Sequence, residues 1–179
     1  MARKNKPKEK TSSMHPLKHP EVSRLLEEDN LSFTFNNDDD EDGCIGSQDS
    51  AVMGRFRCHN PKCEKDGWGS RQIAICIRLY RQQQYNAVVY HQHCKKCDFL
   101  AKPILDDDTY AERVAYWLKK WSGIRPPKPP RSNKRQKPHE EELCEGCQAG
   151  HCQKSSQTAY SKSAKLHQAL QRLTIADVE

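Results

Sequence analysis

Seven cysteines and one histidine are spaced for metal chemistry: Cys58 with Cys63, Cys94 with Cys97, and the run His139, Cys144, Cys147 and Cys152. Cys94/Cys97 and Cys144/Cys147 are CxxC pairs, whose thiolates can meet on one tetrahedral zinc ion from a single turn. The eight ligands divide into two full shells, four cysteines in one and three cysteines plus a histidine in the other, so two zinc ions are expected. Closed shells leave no coordination position for substrate, which points to structural rather than catalytic metal. In the closing run, His139-x4-Cys144-x2-Cys147-x4-Cys152, either His139 or His151 can supply the nitrogen, and Pro138 favours an extended entry at His139. That stretch, with Glu140 to Glu142 and Gly146, has little apolar surface to bury, so metal binding and folding should be coupled there. Cys44 and Cys76 have no neighbour at ligand spacing and are not expected to bind metal. His91 and His93 flank Cys94, whose shell is complete without them.

The elements that must position these ligands can be read from hydrophobic periodicity. Ser70 to Tyr80 alternates, with Ile73, Ile75, Ile77 and Leu79 on one face, and Tyr85 to His91 follows a polar interval, so the two runs predict an antiparallel hairpin. Cys58 and Cys63 precede the hairpin and Cys94 and Cys97 follow it. Folding brings both pairs to one end, as in a zinc ribbon, and metal supplies stability that so small a sheet lacks. Asp106 to Trp121 predicts a helix, because Tyr110, Val114, Trp117, Leu118 and Trp121 share a stripe, with acidic residues at its start and Lys119, Lys120 and Gly123 at its end. A shorter helix is expected over Glu21 to Glu28, with Val22, Leu25 and Leu26 on one side. The fold class expected is α+β, a zinc-ribbon-like antiparallel hairpin or sheet packed by one amphipathic helix, with disordered flanks.

Composition sets the boundaries. With 30% charged residues, the 179-residue chain has too little apolar material for one core of that length. Residues 1–50 are expected to be a disordered basic arm and acidic linker, 51–154 the zinc-binding domain, and 155–179 a tail in which Leu166, Leu170 and Leu173 form a stripe that docks on the core or binds a protein partner. The net charge of +6 conceals blocks, about +5 over residues 1–20 and about −9 over 21–50, with positive charge near the first ligand set and in the proline-rich stretch Arg125 to Pro138. Such a pattern favours an anionic partner, with Asp38 to Asp42 as an internal competitor for the basic surface. The charged N-terminus has no secretory apolar stretch, and no segment reaches the roughly 20 apolar residues that span a bilayer, so an intracellular protein, cytoplasmic or nuclear, without membrane insertion is expected. No zincin helix, Gly-rich phosphate loop or serine elbow occurs, and no enzymatic activity is expected.

Taken together, Gly54-Arg-Phe-Arg-Cys58, Lys62-Cys63, Gly67-Trp-Gly-Ser70, Tyr85-Asn-Ala-Val-Val-Tyr90, Cys94-Lys-Lys-Cys97, Tyr110-Ala-Glu-Arg-Val114, His139 and Leu143-Cys-Glu-Gly-Cys147 resemble the 3CxxC-type zinc-finger family. That family includes the zygote arrest proteins, the receptor transporter proteins and many fungal proteins. The resemblance implies a zinc module. Members of the zygote arrest branch bind messenger RNA, whereas the receptor transporter branch escorts membrane receptors and usually carries a C-terminal anchor. Here the first pair is spaced x4 rather than x2, and His93 stands where an arginine is expected. The leading reading is a binding module for single-stranded RNA, with Arg55, Arg57, Lys62, Lys95 and Lys96 on phosphates, and with Trp68 and Phe56 either stacking on bases or packing under the zinc ribbon. The alternative is a zinc-stabilised adaptor or chaperone-like protein without nucleic-acid binding.

Overall fold

The structure, a computed structural model, describes residues 9–129 and 139–154. In chain order its elements are β1 (Ser12–Met14), α1 (His19–Glu27), β2 (Thr34–Phe35), β3 (Gly46–Arg57), β4 (Gly67–Tyr80), β5 (Gln84–Tyr90), β6 (Gln92–His93), β7 (Leu100–Ala101), β8 (Pro103–Leu105), α2 (Asp107–Trp121) and the one-turn α3 (Glu145–Gln148). It is an α+β fold, as the sequence implies.

The predicted hairpin is β4 and β5, paired antiparallel from Ile75↔Val89 to Tyr80↔Gln84. Its turn holds Gln82 and Gln83 at φ 57° and 53°, the left-handed pair that lets a short connection follow the strand twist. A third long strand, β3, has no counterpart in the periodicity. It pairs with β4 from Gly46↔Leu79 to Arg57↔Gly67 and carries Cys58 at its exit. The full order is β1-β5-β4-β3-β8, with β2 added in parallel to β5.

The sheet buries both faces. On one, Ile73, Ile75 and Ile77 pack with Val22 and Leu26 of α1 and with Tyr110, Val114 and Leu118 of α2. The stripe predicted for α2 is therefore its buried side. The Asp106 side chain caps the helix by accepting the Thr109 N–H at 2.9 Å. On the other face, Ala74, Cys76, Val88 and Tyr90 lie under Cys144, Cys147 and Cys152 of the closing segment. Between Val52 and Gly54 the register with β4 shifts, leaving β4 one residue longer. This bulge keeps Trp68 on the same face as Phe56 and Val52, although strict alternation from Ile73 would turn it away.

Residues 9–50 differ from the unstructured arm expected for residues 1–50. β1 pairs with β5, α1 packs on α2, and β3 begins at Gly46, inside the stretch read as acidic linker. The physical reason is that Ser-Ser-Met and Thr-Phe strands carry no periodic signal of their own. They form because the β5 edge offers unpaired backbone groups, and α1, too short to hold alone, is held by burying Val22 and Leu26 completely. Residues 1–8, most of the basic proline stretch (130–138) and the leucine stripe at 166–173 lie outside the described residues.

Candidate metal centres and the groove between them

Cys58 leaves β3, Cys63 follows in the next turn, and Cys94 and Cys97 follow β6, so the sheet carries all four to one end. The Cys58 and Cys97 sulfurs are 3.5 Å apart and those of Cys63 and Cys94 4.0 Å. These separations bracket the roughly 3.8 Å edge of a tetrahedron with zinc–sulfur bonds of about 2.3 Å. Backbone bonds fix each knuckle: Cys63 N–H to Asn60 O at 2.9 Å, and Asp98 N–H to Cys94 O at 2.8 Å.

The second set is His139, Cys144, Cys147 and Cys152, whose donor atoms all lie within 4.8 Å of one another. His139 Nε2 is 3.1 Å from Cys147 Sγ and 3.5 Å from Cys152 Sγ. His139, then, stands with the thiols, and His151 turns elsewhere, to Asp49 at 2.7 Å. Gly146 explains how the knuckle sits so close to the sheet, since a Cβ there would lie 2.4 Å from Ala74 Cβ.

Thiols facing one point cannot all ionise without a cation, because like charges repel at that range. Desolvation pushes Cys58 up to about 12. Desolvation also raises Cys97, but hydrogen bonds from Phe99 N–H, Asn60 and the neighbouring thiols outweigh it and bring it down to about 7. In the second set the Cys144 hydrogen bond, opposed by desolvation and helped by His139, lowers Cys152 to about 4, while Cys144 is raised by its hydrogen bond to Cys152. Negative charge is thus favoured on Cys97 in one set and Cys152 in the other, and disfavoured on Cys58, Cys63, Cys144 and Cys147. A divalent cation with soft affinity relieves that conflict, and the two donor sets fit two zinc ions.

The knuckles are joined. His93 approaches Asp98 in the first loop, Nδ1 to backbone O at 2.9 Å, and Glu145 beside Cys144, Nε2 to Oε1 at 2.8 Å. Gln92 pairs with Cys144 in a β-bridge, and Glu145 N–H donates to His91 O at 3.1 Å.

Between the knuckles runs an open groove of about 1410 Å³ whose lining includes Arg55, Lys65, Trp68, Arg71, Lys95 and Lys154. Among the described residues, five lysine and arginine side chains line it against two carboxylates, Asp106 and Glu140. Of the six residues expected to contact RNA, Arg55, Trp68 and Lys95 line it, while Arg57, Lys62 and Lys96 do not. Lys95 pairs with Glu140 and Lys96 with Glu64, both at exposed positions. Phe56 is buried, with its ring stacked under Trp68 at 5.1 Å, so of its two expected roles the structure has it packing rather than meeting a base. Trp68 has Lys65 Nζ 5.6 Å from its ring centroid, and its Nε1–H donates to Gln92 Oε1 at 3.2 Å. Lys65, Arg71 and Lys154 escape the sequence reading, because only the bulge and the docked closing segment bring them to one groove. Nor does the acidic stretch compete for this surface: Asp39 and Glu41 grip Arg78, which lies outside the groove lining.

A sheet-held four-cysteine knuckle, with a second knuckle of one histidine and three cysteines docked on the same sheet, defines a zinc ribbon with two metal centres. The family model for the 3CxxC zinc ribbon, described as a zinc-binding domain, matches residues 51–150, and the chain belongs to that family. No curated protein and no solved structure matches it. Among the described residues no helix is long and apolar enough to cross a membrane.

Proposed function

We propose that this chain is a non-enzymatic binding module that holds single-stranded RNA in the groove between its two zinc knuckles. The observation that carries the reading is the excess of cationic side chains along that groove together with Trp68. Arg55, Lys65, Arg71 and Lys154 would meet phosphates, and the Trp68 ring, backed by Phe56, would take a base if Lys65 swings from its face. Single strands suit an open groove of this kind because unstacked bases can reach an aromatic ring.

Paired charge reversals test it. Arg55→Glu with Lys65→Glu should weaken binding of a labelled single-stranded RNA by at least ~tenfold, while Arg81→Glu, in the exposed hairpin turn, should leave it nearly unchanged. Equal losses from both would remove the groove from the account.

The second reading, a protein-interaction adaptor, draws on Ile104, which is 45% exposed on the edge strand β8 beside the same groove. An extended peptide could add to that edge. Its binding would survive high salt, whereas RNA binding would not.

A further inference from the structure

A third group of donors converges away from both knuckles. Asp49 on β3 and Cys76 on β4 are direct cross-strand partners, and the closing segment lays His151 over them. Their carboxylate oxygen, sulfur and imidazole nitrogen lie within 4.8 Å of one another, the limit that both zinc sets also meet. His151 Nδ1 is 2.7 Å from Asp49 Oδ1, its ring stacks on Tyr90 at 5.4 Å, and Glu41 Oε1 stands 3.5 Å from its Nε2. Cys76 is 1% exposed, and the His151 and Asp49 side chains are 20% and 16% exposed.

We infer that Asp49, Cys76 and His151 form a third metal site, selective for a borderline divalent cation such as zinc, distinct from the two structural centres. Mixed sulfur, nitrogen and oxygen donors suit zinc rather than magnesium or calcium, which take oxygen shells. Sequence spacing sets Cys76 aside because nothing lies near it at ligand distance along the chain. Its partners come instead from β3 and from a loop 75 positions later, which no local motif encodes.

Charge favours occupancy. Binding releases the Cys76 thiol proton, and the imidazolium proton when the ring carries one, as sulfur and Nδ1 take the metal. Asp49 and the Cys76 thiolate then balance the two charges of the ion. Glu41 shares Arg78 with Asp39 and faces His151 Nε2 rather than the Nδ1 that would hold the metal, which leaves the fourth position to water. The direct Asp49–His151 hydrogen bond would open to about 3.3 Å, the edge of a tetrahedron with bonds of about 2.0 Å. Three protein ligands with one position remaining make this the most exchangeable of the three sites. Its occupancy would rivet the His139–Cys152 knuckle to the centre of the sheet.

Titration of the reduced, metal-free full chain with cobalt(II), read by the tetrahedral ligand-field bands, tests the assignment, with zinc counted by native mass spectrometry. The wild type should break at three equivalents. Cys76→Ala and the near-isosteric Asp49→Asn should each break at two, and Cys44→Ser at three. Should Cys76→Ala fail to fold, Asp49→Asn decides alone. A wild-type break at two equivalents, or three retained in Asp49→Asn, would overturn the site and leave Asp49–His151 as an ion pair that clamps the loop. Neither outcome bears on RNA binding, which the groove variants address.

Discussion

His91 and His93 are separated by one residue and have opposite electrostatic roles. His93 bridges the two knuckles through Asp98 and Glu145; desolvation opposes its protonation, but these acceptors outweigh it and raise its pKa. His91 is fully buried, with Nε2 3.1 Å from Ser13 Oγ. Burial, aided by Lys102, lowers its pKa to about 4. The native ring is therefore neutral where an unfolded ring, near 6.5, begins to charge. Its contribution to stability is intact above about 6.5 and is lost as pH falls toward 4. Thermal melts of wild type and His91→Gln should diverge accordingly, with the wild type losing more Tm than the variant between about pH 7.5 and 5.5. Zinc release on acidification affects both proteins, so the difference isolates His91. Parallel curves would contradict the assignment.

The elements most legible in sequence are those with a strong period of their own. β4 alternates through four aliphatic positions, Ile73 to Leu79, and α2 repeats its stripe over four turns with a cap at Asp106, so periodicity alone places both within a few residues. It does not place β3, because Gly-Ser-Gln-Asp-Ser carries no apolar alternation: Gln48 and Ser50 lie on the face of Ile77 and Ile75, and Asp49 meets His151 on the other. The metal ligands are legible for a different reason: CxxC spacing is imposed by the coordination of the ion rather than by the fold. The docking of the closing knuckle is not, since it depends on α3 pressing Gly146 against Ala74 and Tyr90. Gly146→Ala should therefore force α3 off the sheet, costing roughly 1–3 kcal/mol as other overpacked contacts do. Thermal unfolding would register the loss, and one zinc should leave to a chelator faster than the other. Wild-type stability with unchanged release would mean that the knuckle floats free of the sheet.

At the scale of the whole molecule, the N-terminal segment belongs to the folding unit. The family match begins at residue 51, within β3, yet β1 and β2 line β5, and Val22 and Leu26 have no exposed surface. Burying two such side chains contributes roughly 3–6 kcal/mol, a large share of the roughly 5–15 kcal/mol typical of a domain. Removing residues 1–35 should yield a zinc-binding but destabilised, aggregation-prone chain, measurable as a lowered Tm and early elution in size-exclusion chromatography. A monomeric fragment that melts with the full chain would show the segment to be dispensable.

If two zinc knuckles hold a cationic groove in shape for single-stranded RNA, fluorescence anisotropy of a labelled RNA with the zinc-loaded full chain across a salt series will show it. Binding at low salt is expected, its logarithm falling linearly with log salt with a slope of roughly −3, as for about four phosphates neutralised on a single strand. Chelation of the zinc should abolish binding. No binding at low salt, or binding indifferent to both salt and zinc removal, would contradict the RNA reading.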